Sequence, residues 1–117
     1  MKIYYAHCMA IYDTPQEERD MEFLYELFPD AEILNPNNSV CVAKAKVLGM
    51  DYFKSIVEAH DLIAFRALPN GKIPSGVWKE LEWAGEFGKM IIELPCFTGR
   101  EMSLDDTRFF LKEIGQR

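Results

Sequence analysis

A chain of 117 residues with 49% hydrophobic content can hold one domain with a real core, residues 1–117, and is too short for two ordinary ones. Nineteen acidic against thirteen basic residues, a formal charge of -6, disfavour a nucleic-acid polymer or an anionic lipid surface as partner and leave free nucleotides open. No apolar run approaches a membrane span, residues 1–6 lack the apolar stretch of a signal peptide, and the three cysteines, Cys8, Cys41 and Cys96, show no metal-ligand spacing, so a cytoplasmic protein with reduced thiols and no metal is expected.

Ile3, Tyr4, Tyr5 and Ala6 form a short apolar and aromatic run that suits a central strand buried on both faces. Thr14-Pro15-Gln16-Glu17 then reads as a capping box with proline at the first helical position. Met21, Leu24, Tyr25 and Phe28 follow at helical spacing as the inward face, and the helix should end before Pro29. Ala31-Glu32-Ile33-Leu34 is a second strand, stopped by the turn formers Asn35-Pro36-Asn37-Asn38-Ser39. Residues 40–48 are ambiguous, whereas 50–59 read as a helix with Phe53, Ile56 and Val57 inward.

A third strand at 61–65 leads through the loop 68–74, whose Asn70-Gly71 is first a turn signal, to a helix opening at Ser75. A fourth strand spans 89–94, closed by Pro95, and Ser103 caps a last helix with Leu104, Leu111 and Ile114 on its apolar side. Strands alternating with helices and no hairpin signals imply an open parallel α/β sheet of four or five strands with helices on both faces, a flavodoxin- or Rossmann-like three-layer sandwich. Ligands of such sheets bind beyond the carboxyl ends of the strands where strand order reverses. That rule brings His7, Asn35, Asn37, the loop after Phe65 and the Ser75 helix to one edge as candidate binding groups.

The helix at Ser75 carries the most chemistry. Ser75 is placed to cap it, and Gly76 would let a ligand approach the exposed N–H groups closely. At about 100° per residue, Val77, Leu81 and Ala84 share the buried arc, Glu80 lies at its rim and Glu82 points away to solvent. Glu80 could therefore be a reactive acid facing a crevice, or one more residue of an ordinary amphipathic helix. The dinucleotide and P-loop glycine fingerprints are both missing, so NAD and P-loop chemistry are poor fits.

The strand 2–6, the strand opening at Asp61, and Ser75-Gly76-x3-Glu80-Leu81-x-Trp83-Ala84-x3-Gly88-Lys89 together resemble the nucleoside 2-deoxyribosyltransferase-like proteins. The resemblance runs through roughly residues 1–95 in element order, and its last block is the specific part. It implies that Glu80 is the nucleophile attacking sugar C1′, Tyr4 the tyrosine that orients it, Asp61 the aspartate opening the third strand, and Ser75 and Gly76 ligand-binding residues. It also implies a nucleoside or nucleotide as small-molecule partner, no cofactor, and a homo-oligomer. Two positions depart from the pattern: Pro74-Ser75 stands where those enzymes carry an aspartate before the glycine block, and Glu82 replaces a glycine. The expectation is cleavage or transfer at an N-glycosidic bond through a covalent glycosyl-Glu intermediate. The alternative is a non-catalytic nucleotide-binding or metabolite-sensing module that uses the same crevice.

Overall fold

A computed structural model describes residues 1–68 and 70–95; the helix expected after Ser103 and the third cysteine, Cys96, lie outside the described residues. The elements run β1 (Lys2–Ala6), a 3-10 turn (Met9–Ile11), α1 (Pro15–Leu27), β2 (Glu32–Leu34), α2 (Ser39–Leu48), α3 (Met50–Ala59), β3 (Leu62–Phe65), α4 (Ser75–Glu86) and β4 (Met90–Glu93). Four strands form one sheet in the order β2-β1-β3-β4, and every pairing is parallel. β1 is internal because both of its faces are apolar enough to be covered: Ile3, Tyr4, Tyr5 and Ala6 are all within 1% of complete burial.

Alternation along β1 divides the core in two. Ile3 and Tyr5 point to one face, where they pack with Leu62 and Ala64 against Leu24 of α1. Tyr4 and Ala6 point to the other, packing with Ile63 and Phe65 against Ile56 and Val57 of α3 and Val77, Leu81 and Ala84 of α4. The result is a three-layer α/β sandwich, as the alternation of elements implies. Strand order reverses between β1 and β3, so the connections leaving these two strands run to opposite faces of the sheet, and the carboxyl edge between them is where ligands of such sheets bind.

The ambiguous stretch after Asn38 is a helix. Asn38 caps α2 by accepting from Cys41 N at 2.8 Å. Gly49, at φ 66, lets α2 end and α3 begin at one residue, a backbone conformation that a side chain would strain. In α1 the inward face is narrower than its spacing predicts, because Leu24 is fully buried whereas Tyr25 is 49% exposed. No helix among the described residues is long and apolar enough to cross a membrane.

A buried ion pair ties α1 to the sheet. Asp20 of α1, wholly inaccessible, accepts from the Tyr5 hydroxyl at 2.5 Å, from Gln16 Nε2 at 3.0 Å, and from Arg66 through Nε at 3.0 Å and through Nη2. Arg66 Nη2 also donates to the Pro95 carbonyl at 2.6 Å, so one guanidinium joins α1, the end of β3 and the chain beyond β4. Removing one partner of such a pair strands the other in a dry interior. Asp20→Ala is therefore expected to cost about 3–5 kcal/mol in chemical denaturation, and a loss below about 1 kcal/mol would show that the pair is not structural.

Candidate active site

Glu80 sits in the second turn of α4 and is 5% exposed, deeper than the rim position that the helical wheel assigns to it. The Tyr4 hydroxyl donates a hydrogen bond to its carboxyl group across the interface between β1 and α4. The other side of that carboxyl is bare: Oε2 is buried with no hydrogen-bond partner among the described residues. Burial pushes the Glu80 pKa up to about 8, with the Tyr4 hydrogen bond opposing the shift. Placement near a helix N-terminus, which by itself favours the anion, is outweighed by desolvation. The same contact, added to burial, holds Tyr4 well above its ordinary value.

Gly76 lies one turn before Glu80 on the same side of α4, and a Cβ built there would meet no atom within 4 Å. The ground beside Glu80 is thus open toward the helix start. Ser75 does not cap α4; Pro74 occupies the cap position, no side chain caps the helix, and Ser75 is its exposed first residue. Proline fits before the helix because its extended backbone needs no N–H there, which displaces the serine inward by one. Glu82 is exposed and lies 3.5 Å from Lys79, as a solvated face requires.

His7, Asn35 and Asn37 come together in a second cluster at the same edge, next to the ends of β1 and β2. His7 Nε2 lies 2.8 Å from Glu17 Oε2, and its ring is stacked on Tyr5 with centroids 3.8 Å apart. Asn37 Nδ2 donates to both Glu17 oxygens, at 3.0 and 3.2 Å, and to Asp13 Oδ1 at 3.0 Å, while Asn37 N donates to Asn35 Oδ1 at 2.9 Å. Burial lowers the His7 pKa, the Glu17 carboxylate opposing it. Burial works to raise Glu17, but its hydrogen bonds from His7, Asn37 and the Asp13 N–H hold it below the ordinary carboxylate value.

Asp61 does not join either group. It stands at the opposite, amino-terminal end of the sheet, fully exposed, where its carboxylate accepts from Lys2 N at 2.8 Å. That bond, with the positive charges nearby, lowers its pKa and gives it the role of a clip on the start of β1. A residue that opens a parallel strand is a strand length away from the carboxyl edge, and this distance separates Asp61 from Glu80.

Two residues of the edge, Glu17 and Tyr12, were not singled out as site residues by the pattern of the chain. Glu17 fits a capping box, and Thr14 Oγ1 does accept from Glu17 N at 3.3 Å, yet its carboxylate turns to His7 and Asn37 instead of completing the box. Tyr12, in the turn after β1, is half-buried and packs its ring on His7 with centroids 4.9 Å apart. Burial, followed by the charges of Glu80 and Glu17, pushes its hydroxyl up to about 12. An aromatic residue just past the carboxyl end of the first strand was the available clue. Cys8 and Cys41 are free thiols; Cys41 is buried and its sulfur accepts from Asn38 Nδ2 and the Tyr52 hydroxyl, each at 3.2 Å. Among the described residues no group of three or more His, Cys, Asp or Glu side chains could hold a metal ion.

Among solved structures the chain is similar to a 2-desoxiribosyltransferase from Leishmania mexicana, with TM-score 0.55 and 19% identity, covering 80% of this chain and 63% of that one. It is also similar to the CMP N-glycosidase BcmB from Clostridium botulinum, with TM-score 0.50 and 21% identity, covering 80% of this chain and 67% of that one. The chain therefore spans just under two thirds of the length of the first of these structures. No family model matches the sequence, and no curated protein matches it. The chain has a nucleoside 2-deoxyribosyltransferase-like fold.

The raised pKa of Glu80 carries a stability signature. The folded state holds its proton up to about 8, whereas the unfolded chain releases it near the ordinary 4.5, so between those values the folded state binds more protons and stability falls as pH rises. The contribution is whole below 4.5 and lost above about 8. Glu80→Gln removes the titration, so its advantage over the natural protein should grow from pH 5 to pH 8.5, by on the order of 3 kcal/mol in paired denaturation curves. A constant difference between the two proteins across that range would show that Glu80 titrates normally.

Proposed function

We propose that this protein cleaves or transfers at the N-glycosidic bond of a nucleoside or nucleoside monophosphate, with Glu80 as the nucleophile. The observation that carries this reading is a buried carboxyl held by one tyrosine hydroxyl, its Oε2 free of any hydrogen bond among the described residues, beside the open ground at Gly76. A buried carboxyl with one oxygen left unpartnered is what a displacement at carbon needs.

In the first step a Glu80 oxygen attacks C1′ and the C1′–N bond breaks. The bonding pair leaves with the base, which takes up a proton, and the sugar remains as an ester on Glu80. Water, or the nitrogen of a second base, then attacks C1′ from the vacated side, loses its proton, and returns the carboxylate. Positive charge gathers at C1′ in both transition states, next to the carboxylate that the Tyr4 hydroxyl orients. Desolvation penalises the ground-state anion and strengthens its attraction for that developing charge. The displacement calls for no metal or cofactor. The resemblance extends the reading to a homo-oligomer, and the apolar side chains exposed on α2, Val40, Val47 and Leu48, would suit self-association.

A second reading, a nucleotide-binding or metabolite-sensing module, draws on the same raised pKa, since a carboxyl that stays protonated at neutral pH is a good hydrogen-bond donor to a bound ligand. Incubation with a mixture of nucleosides and their 5′-monophosphates, followed by chromatography for free base, separates the two. The enzyme reading expects base release that Glu80→Gln lowers by at least about 1,000-fold while binding persists, and that Glu82→Gln leaves unchanged. Binding without base release would favour the module.

The ionisation state adds a second check. Because only the ionised carboxylate attacks, kcat/KM should rise about tenfold per pH unit from pH 6 and level off near the pKa of about 8. A profile flat from pH 6 to 9 would remove Glu80 from the bond-breaking step.

A further inference from the structure

Residues 8–14 follow β1 at the carboxyl edge, and Ile11 is the only buried residue among them. A segment with so little apolar anchorage opens more readily than the sheet beside it unless polar contacts hold it. Asp13 needs holding most, because at φ 61 it sits in the left-handed region that side chains rarely adopt. Asn37, from the loop after β2, fastens it: Nδ2 donates to Asp13 Oδ1 at 3.0 Å and to Glu17 Oε1 at 3.0 Å, and Glu17 Oε1 accepts in turn from the Asp13 N–H at 3.2 Å. The second oxygen of that carboxylate, Glu17 Oε2, lies 2.8 Å from His7 Nε2.

His7 makes this latch sensitive to protons. Its side chain has no exposed surface, and its ring lies between Tyr5, stacked with centroids 3.8 Å apart, and Tyr12, tilted at 4.9 Å. Tyr12 belongs to the segment itself, so opening the segment brings water to the imidazole. Closed, burial lowers the proton affinity of His7 against the pull of Glu17 and of Asp20 farther along α1, the latter already bonded to Arg66. Open, the ring is an ordinary imidazole with a pKa of 6.5. Below pH 6.5 the open form therefore binds more protons than the closed one, and acid favours opening. Glu17 acts in the same direction: its folded pKa lies below the ordinary 4.5, so the bonds it accepts are present above that value and lost as pH falls through the lower one.

We propose that residues 8–14 form a strap across the carboxyl edge, latched to the loop after β2 through Asn37 and Glu17 and released by protonation of His7 while the sheet stays folded. The strap does not depend on the glycosidic reading, and either can fail without the other.

Amide hydrogen exchange followed by NMR is the test, because four consecutive N–H groups of the strap are hydrogen-bonded: Ile11 to the Cys8 carbonyl at 3.0 Å, Tyr12 to the Met9 carbonyl at 3.1 Å, Asp13 to Glu17, and Thr14 to the Ile11 carbonyl at 3.3 Å. After correction for intrinsic rates, their protection should fall about tenfold between pH 7.5 and pH 5.5, the limit for one proton taken up below 6.5, while the amides of β1 and β3 keep theirs. His7→Phe keeps a flat ring between the two tyrosines and should abolish the pH dependence. Asn37→Ala should lower strap protection about tenfold already at pH 7.5. Protection that stays level on acidification overturns the proposal, and so does protection that rises, which would show His7 held as an imidazolium on Glu17. A fall shared equally by the sheet, a pH dependence that survives in His7→Phe, or unchanged protection in Asn37→Ala overturns it as well. Should His7→Phe not fold, the natural protein and Asn37→Ala decide between these outcomes on their own.

Discussion

The strand at the centre of the sheet is buried on both faces, yet it ends in side chains with polar tips. Tyr4, Tyr5 and His7 cannot reach bulk water, so each must find a partner inside the protein. Each finds an acid carried by a helix: Glu80 from α4 meets Tyr4, Asp20 from α1 meets Tyr5, and Glu17 from α1 meets His7. Helices on both sides are thereby registered against one strand by polar contacts as well as by apolar packing. A methyl-for-methyl exchange elsewhere in the core could be absorbed, but these three pairings admit few substitutes.

The three acids are treated very differently. Asp20 receives hydrogen bonds from Tyr5, Gln16 and Arg66, and Glu17 receives them from His7, Asn37 and the Asp13 N–H. Their anions are well solvated by protein, and they hold the structure together. Glu80 receives one, from Tyr4, and its Oε2 is buried with no hydrogen-bond partner among the described residues. A carboxyl so poorly served destabilises the fold whenever it ionises, by the linkage that raises its pKa. Proteins keep such groups where activity gains from the strain. The contrast within one molecule, with the same strand supplying all three partners, singles out Glu80 more sharply than burial alone does.

Much of this arrangement was legible in the chain before any coordinates. The two-faced apolarity of Ile3 to Ala6 marked an internal strand, and the alternation of strand and helix marked a parallel sheet. The helical wheel separated Glu80 from Glu82, because angular position follows directly from the 3.6-residue period. Depth did not follow from it: how far a rim residue sinks depends on what packs beside the helix, and α3 and α4 share one core on this face of the sheet. Burial also outweighs the helix N-terminus, which by itself favours the anion. Asp61 was drawn to the site by resemblance, although its place at the start of a strand already put it at the wrong edge. Ser75 misled because proline can occupy the cap backbone without offering a side-chain cap. Tyr12 and Glu17 act through a turn whose shape depends on Asn37, twenty or more residues along the chain, a contact no local pattern encodes.

A nucleophile that forms an ester can be caught in the act. A nucleoside with fluorine at the 2′ position of its sugar destabilises the positively charged transition states, and with a good leaving base the first step outruns the second. Incubation with such a compound, proteolysis and mass spectrometry of the fragments would then locate the sugar. The account predicts one equivalent of fluorinated sugar on the peptide carrying Glu80, released by a second base or by prolonged standing in water, and none in Glu80→Gln. Base release from the natural nucleoside with no adduct at Glu80, or with the sugar on a different side chain, would contradict it.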